Sequence, residues 1–179
     1  MSDDELIFVA NRLPVEAVTD PDGNISWNVS PGGLVAAVEP SLKGRQGVWI
    51  GWNGHYQDPS EPAMPPIPET AEGRDYRIVE VPLDKSDVEQ YYDGFSNSAL
   101  WPLYHDAIAT PTYHRHQFDA YRRVNMLFAQ AAARAAAPGA TVWIHDYQLQ
   151  LVPAMLRSLR PDLRIGFFLH IPFPAPDLF

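Results

Sequence analysis

The chain is predicted to fold as an α/β domain with a mainly parallel central sheet flanked by helices. Three observations lead there. Residues 142–153 (VWIHDYQLQLVP) and 164–174 (RIGFFLHIPFP) each begin as an apolar run with the β-branched and aromatic character of a buried strand. Residues 151–163 (LVPAMLRSLRPDL) between them read as a helix, so the three pieces form a βαβ unit with parallel neighbouring strands. Each run also stops abruptly at polar groups, His145 and Asp146 in the first and His170 in the second. Ligands of open parallel sheets bind in the crevice outside the carboxyl ends of the strands. These side chains are therefore the first candidate site.

The remaining elements fit the same class. Residues 6–10 (LIFVA) are a continuous apolar run and the first strand, and Arg12 lies just past its carboxyl end, as His145 and His170 do in theirs. In residues 15–31, VEAV and ISWNV flank Asp20-Pro21-Asp22-Gly23-Asn24, a strong turn signal. A β-hairpin projecting from the edge of the sheet is expected there, placed to wall a site. Ser30-Pro31-Gly32-Gly33 then leads into LVAAVEPSLK, a helix-like run. Glycines at a helix start let a ligand approach the backbone, and the free N–H groups with the helix dipole favour an anion such as phosphate. The pattern is neither GxGxxG nor a Walker loop. Pro40 should kink or end this helix near Glu39.

Residues 47–52 (GVWIGW) are the second sheet strand, ending at Asn53-Gly54, with Trp49 and Trp52 as core or wall. Residues 55–75 contain Pro59, Pro62, Pro65, Pro66 and Pro68 and should be a surface loop. Residues 76–83 (YRIVEVPL) alternate and form a third strand, near an edge because of Pro82. A helix starting at Asp84, capped by Asp84 or Ser86, should run to Tyr91-Tyr92 and break at Gly94. Beyond it, Tyr92, Trp101 and Tyr104 suit either the core or a pocket for phosphate and sugar hydroxyls. Residues 114–137 are the longest helix signal, with Phe118, Tyr121, Asn125, Phe128 and Ala132 as its buried stripe. His114 and His116 stand two apart, share no helix face and are not read as metal ligands. A new helix is expected to begin in residues 175–179 (APDLF). The last strand would then lack its covering helix, which implies a larger protein.

The 179 residues suffice for one domain with a real core. A net charge of −9 would repel a nucleic-acid backbone or an anionic membrane. An anionic ligand would have to be held locally, by a few placed arginines or helix N-termini. Without cysteine there are no disulfides, thiolate nucleophiles or thiolate metal sites. The acidic start is neither a signal peptide nor a membrane span, and a cytoplasmic protein is expected.

Taken in order, ANRLPV, SPGGLVAAVEP, VWIGWNG, YYDGFSNSALWPLYH, VWIHDYQLQLVPAMLR and GFFLHIPFP resemble the motifs of the trehalose-6-phosphate synthases. These are retaining glycosyltransferases that move glucose from a nucleotide-glucose donor to glucose 6-phosphate. The resemblance implies a GT-B architecture of two Rossmann-like domains facing a cleft. Residues 1–179 would be the N-terminal, acceptor-side domain, incomplete at its C-terminal end, and the nucleotide-sugar domain would lie outside this chain. It implies that Arg12, Tyr92, Trp101 and Asp146 hold glucose 6-phosphate, with Arg12 on the phosphate. Gly32 and Gly33 would offer backbone N–H groups to the donor diphosphate. His170 would contact the donor glucose, and Trp101 with Ile171 would select the anomer. His170 and Asp146 are the candidate catalytic residues. No metal or cofactor is implied. The donor would be UDP-glucose, ADP-glucose or GDP-glucose, and a homo-oligomer is expected. The alternatives are a non-catalytic relative that senses the sugar phosphate, and a Rossmann-like domain with another ligand.

Overall fold

The computed structural model describes residues 6–42, 47–56, 64–70, 74, 76–106 and 110–174. Pro59, Pro62 and the predicted helix start in residues 175–179 lie outside them. The sheet comprises β1 (Leu6–Arg12), β4 (Gly47–Trp52), β5 (Arg77–Glu80), β6 (Thr141–His145) and β7 (Arg164–Phe168), in the order β5-β4-β1-β6-β7 with every pair parallel. The chain steps outward from β1 through β4 to β5, then returns to build β6 and β7 on the other side. This is the 3-2-1-4-5 arrangement of a Rossmann-like fold, and the order reverses between β1 and β6.

β1 alternates between two cores, which explains its unbroken apolar run. Ile7 and Val9 join Val48, Ile50, Val142 and Ile144 on one face, beneath α4 (Arg115–Ala135) and α5 (Val152–Leu159). Leu6, Phe8 and Ala10 point the other way with Trp49, against Val35, Val38 and Leu42 of α1 (Gly33–Leu42). Each Val, Leu, Ile or Phe among them that is fully buried contributes roughly 1.5–3 kcal/mol. Edge strand β7 departs from the buried strand expected there: Phe167 and Phe168 are 41% and 48% exposed among the described residues.

The hairpin forms as β2 (Val15–Thr19) and β3 (Ile25–Val29), a separate antiparallel ribbon. Asp20 Oδ1 accepts from the Asp22 and Asn24 amides at 2.9 and 2.8 Å and fixes its turn. The ribbon follows directly from the central strand, so it stands at the carboxyl edge of the sheet rather than beside an edge strand.

Two helix boundaries differ from expectation. Pro40 does not end α1 at Glu39: it sits in the last turn, where it removes only one backbone bond, and the helix continues to buried Leu42. Gly94 does not break its helix either. Asp84 accepts from the Asp87 amide at 2.7 Å and caps α2 (Lys85–Asp87). The chain then widens into a π-helical stretch, Val88–Leu100, and closes as α3 (Trp101–Tyr104). Gly94 is buried against α4, where a Cβ would come within 2.8 Å of Gln117 Nε2. The glycine serves close helix packing.

Candidate functional site

Arg12 is the last residue of β1, where the register with β4 shifts. Trp49 Nε1 donates to the Arg12 carbonyl at 3.0 Å, and the Leu13 amide donates to the Trp52 carbonyl at 2.8 Å. A Cβ on Gly51 would lie 2.6 Å from the Arg12 carbonyl carbon, so only glycine lets the two backbones meet. The guanidinium stands 5.0 Å from the Trp52 ring, a cation–π distance. It also lies over Gly54, which has φ +91° and where any Cβ would collide with it. No carboxylate pairs with Arg12 among the described residues. The result is an aimed but unneutralised cationic fork, suited to a phosphate.

Asp146 follows β6 with φ +73° and ψ 169°, a region almost confined to glycine. Such backbone costs on the order of 1–3 kcal/mol and persists only where its surroundings enforce it. They do so here. The Asp146 amide donates to the Phe168 carbonyl at 2.8 Å, and Asp146 Oδ1 accepts from the amides of Tyr147 at 3.0 Å and His170 at 3.3 Å. The following turn is latched to α4. Tyr121 Oη donates to the Tyr147 carbonyl at 2.6 Å, Asn125 Nδ2 donates to the Gln148 carbonyl at 2.9 Å, and Asn125 Oδ1 accepts from the Leu151 amide at 3.0 Å. Beside Asp146, His145 is buried with its Nδ1 2.8 Å from His170 Nε2. Burial first, then the neighbouring His170, pushes the His145 pKa down to about 3.

These elements enclose a crevice of about 410 Å³ at the carboxyl edge of the sheet, where the strand order reverses. It brings together Arg12, Gly32, Gly33, Tyr92 and Asp146, with the start of α1 as one wall and Val15 and Glu16 of β2 as another. His170 does not line it and is tied to its rim through Asp146 and His145. Trp101 and Ile171 are also outside the lining. Trp101 is 36% exposed and stacks on His105 at 4.1 Å, and Ile171 is half-buried. Sequence reasoning missed Gln148, which lines the crevice, and Asn11, which accepts from Tyr91 Oη at 2.7 Å. It also missed the glycine cradle under Arg12, for which the Asn53-Gly54 pair was the one available signal.

A sequence profile for glycosyltransferase family 20 matches residues 4–179. The chain belongs to this family. It is 57% identical over 175 residues to the trehalose-6-phosphate synthase of Mycolicibacterium gilvum, covering 98% of this chain and 34% of that protein. An alpha,alpha-trehalose-phosphate synthase (UDP-forming) from Burkholderia xenovorans, in complex with glucose-6-phosphate, superposes with a TM-score of 0.75 at 33% identity, covering 98% of this chain and 35% of that one. The trehalose-6-phosphate synthase from E. coli bound with UDP-2-fluoro glucose gives 0.76 at 32% identity, with 98% and 35% covered. The chain thus spans about a third of the length of these family 20 proteins and corresponds to an N-terminal portion of the GT-B fold.

Proposed function

We propose that this chain forms the N-terminal, acceptor-side domain of a family 20 enzyme that transfers glucose from a nucleotide-glucose, UDP-glucose in the first instance, to glucose 6-phosphate with retention. The product would be alpha,alpha-trehalose 6-phosphate. The observation that carries the proposal is the aimed Arg12, with no carboxylate partner among the described residues, sharing one crevice with the strained Asp146 and the Gly32-Gly33 helix start. The ligands of the Burkholderia and E. coli synthases support the two substrate classes.

In this reading Arg12 takes the acceptor's phosphate, and Asp146 accepts hydrogen bonds from its sugar hydroxyls, with Tyr92 and Trp101 completing the acceptor site. Gly32 and Gly33 direct backbone N–H groups at the donor diphosphate, where negative charge grows as the glycosidic bond breaks. His170 contacts the donor glucose, and Trp101 with Ile171 restricts the acceptor anomer. The acceptor hydroxyl attacks C1 from the face the diphosphate leaves, and its proton passes to the departing diphosphate. No enzyme nucleophile is needed.

The test is initial-rate kinetics on the full-length protein with UDP-glucose and glucose 6-phosphate, following both UDP and the disaccharide phosphate. Arg12→Ala removes charge-assisted hydrogen bonds of about 1.5–3 kcal/mol, so the glucose 6-phosphate KM is expected to rise roughly ten- to a hundredfold. Unchanged kinetics would remove Arg12 from the site. Tight binding of both sugars without product would replace transfer by sensing.

A further inference from the structure

His145 is a buried titratable group for which the proposed reaction has no task. It is 1% exposed and packs between the rings of Phe8 and Trp143, at centroid distances of 4.1 and 4.5 Å. Its Nδ1 lies 2.8 Å from His170 Nε2, while its own Nε2 is buried without a hydrogen-bond partner among the described residues. A contact of that length needs one donor and one acceptor. With its pKa pushed down to about 3, the His145 ring carries a single proton at neutral pH. On Nε2 that proton would be an orphaned N–H enclosed by aromatic rings. On Nδ1 it is used, and only a lone pair stays unpaired. Orphaned buried N–H groups are the rarer of the two. His145 Nδ1–H therefore donates and His170 Nε2 accepts.

We propose that His145 is a positioning residue that fixes the imidazole proton of His170 on Nδ1, so that His170 offers an N–H to a hydroxyl of the donor sugar. The His170 backbone is held at the same time, since its amide donates to Asp146 Oδ1 at 3.3 Å. Nδ1 is thus the ring nitrogen left for a ligand. Histidine in water prefers its proton on Nε2, so the arrangement is the reverse of the default and can be read directly. The assignment rests on the reading of His170 as a donor-sugar contact, and the test separates the two.

The experiment is multiple-bond proton–nitrogen correlation NMR on the full-length protein with isotopically labelled histidine at neutral pH. The His170 signals are assigned by their loss in His170→Gln. In the native protein His170 is expected to show a protonated Nδ1 and a bare Nε2; a protonated Nε2 overturns the proposal with no variant needed. In His145→Phe the proton should move to Nε2, and the KM for the nucleotide-glucose should rise about fivefold while that for glucose 6-phosphate holds. His145→Asn, whose amide nitrogen occupies the place of Nδ1, should restore both readings. An unchanged His170 tautomer in His145→Phe rejects the positioning role, and an unchanged donor KM rejects its use on the sugar. If the native tautomer is as expected but no disaccharide phosphate forms, the His145 assignment stands and the transfer reading falls.

Discussion

Asp146 combines a backbone suited to glycine with the carboxylate proposed to hold the acceptor's hydroxyls. Its strain and its function can be pulled apart by substitution. Asp146→Gly relieves the backbone, whereas Asp146→Ala keeps the strain and loses the two amide contacts. The glycine variant is expected to be the more stable by about 1 kcal/mol or more in urea unfolding, with both inactive. An alanine variant as stable as the glycine one would mean that the positive φ costs nothing. Arg12 depends similarly on its neighbours. Gly54→Ala places a methyl group where the guanidinium lies, so weak glucose 6-phosphate binding is expected with a fold largely intact. Gly51→Ala strikes the backbone instead and should lower the melting temperature more; a reversed ranking would contradict the cradle. His145 sets a pH dependence. Its pKa falls from 6.5 to about 3 on folding, so the unfolded chain binds the extra proton between those values. The stabilisation is complete above about 6.5 and is lost as pH falls toward 3. His145→Asn should flatten that acid limb in denaturant midpoints, and an unaltered limb would exclude His145 as its source.

Among the elements, α4 does more than cover the sheet. Asn125 satisfies both its amide ends on the turn that carries Asp146, donating to the Gln148 carbonyl and accepting from the Leu151 amide. Asn125→Ala strands the buried Gln148 carbonyl and the partly buried Leu151 amide, at about 1–3 kcal/mol for the buried group and less for the other. A loss of about 2–3 kcal/mol is expected in urea unfolding, and a loss under about 1 kcal/mol would show that the latch is dispensable. The sequence revealed Asn125 only as one position in a helical stripe, because a 3.6-residue period reports burial and not the partner of a polar side chain. The stretch Val88–Leu100 was harder still. A glycine between aromatics reads as a helix end, and nothing local signals a widened helix whose Gly94 instead admits Gln117. Strands β1, β4 and β6 were legible for a simple reason. Buried parallel strands need uninterrupted apolar runs, and each of these runs ends where the chain meets the site, whereas β5 was legible as an alternating edge strand.

At the scale of the whole molecule, topology accounts for the site. The reversal of strand order between β1 and β6 leaves a gap at the carboxyl edge. Arg12, Asp146, Tyr92 and the Gly32-Gly33 helix start reach that gap from four separate segments, and the hairpin after β1 walls it. Motif order in the sequence supplied this list, but it did not separate the residues that line the crevice from His170, Trp101 and Ile171, which do not. That distinction depends on how loops pack, and loop packing has no periodic signature. The central claim is that this crevice recognises a hexose through its phosphate, with Arg12 as the contact. The direct measurement is calorimetric titration of the full-length protein, in the presence of UDP, with glucose 6-phosphate and with glucose, for the native chain and for Arg12→Ala. The native protein is expected to prefer the phosphorylated sugar by about tenfold or more, and the variant to lose most of that preference. An Arg12→Ala protein that still favours glucose 6-phosphate as strongly as the native one would contradict it.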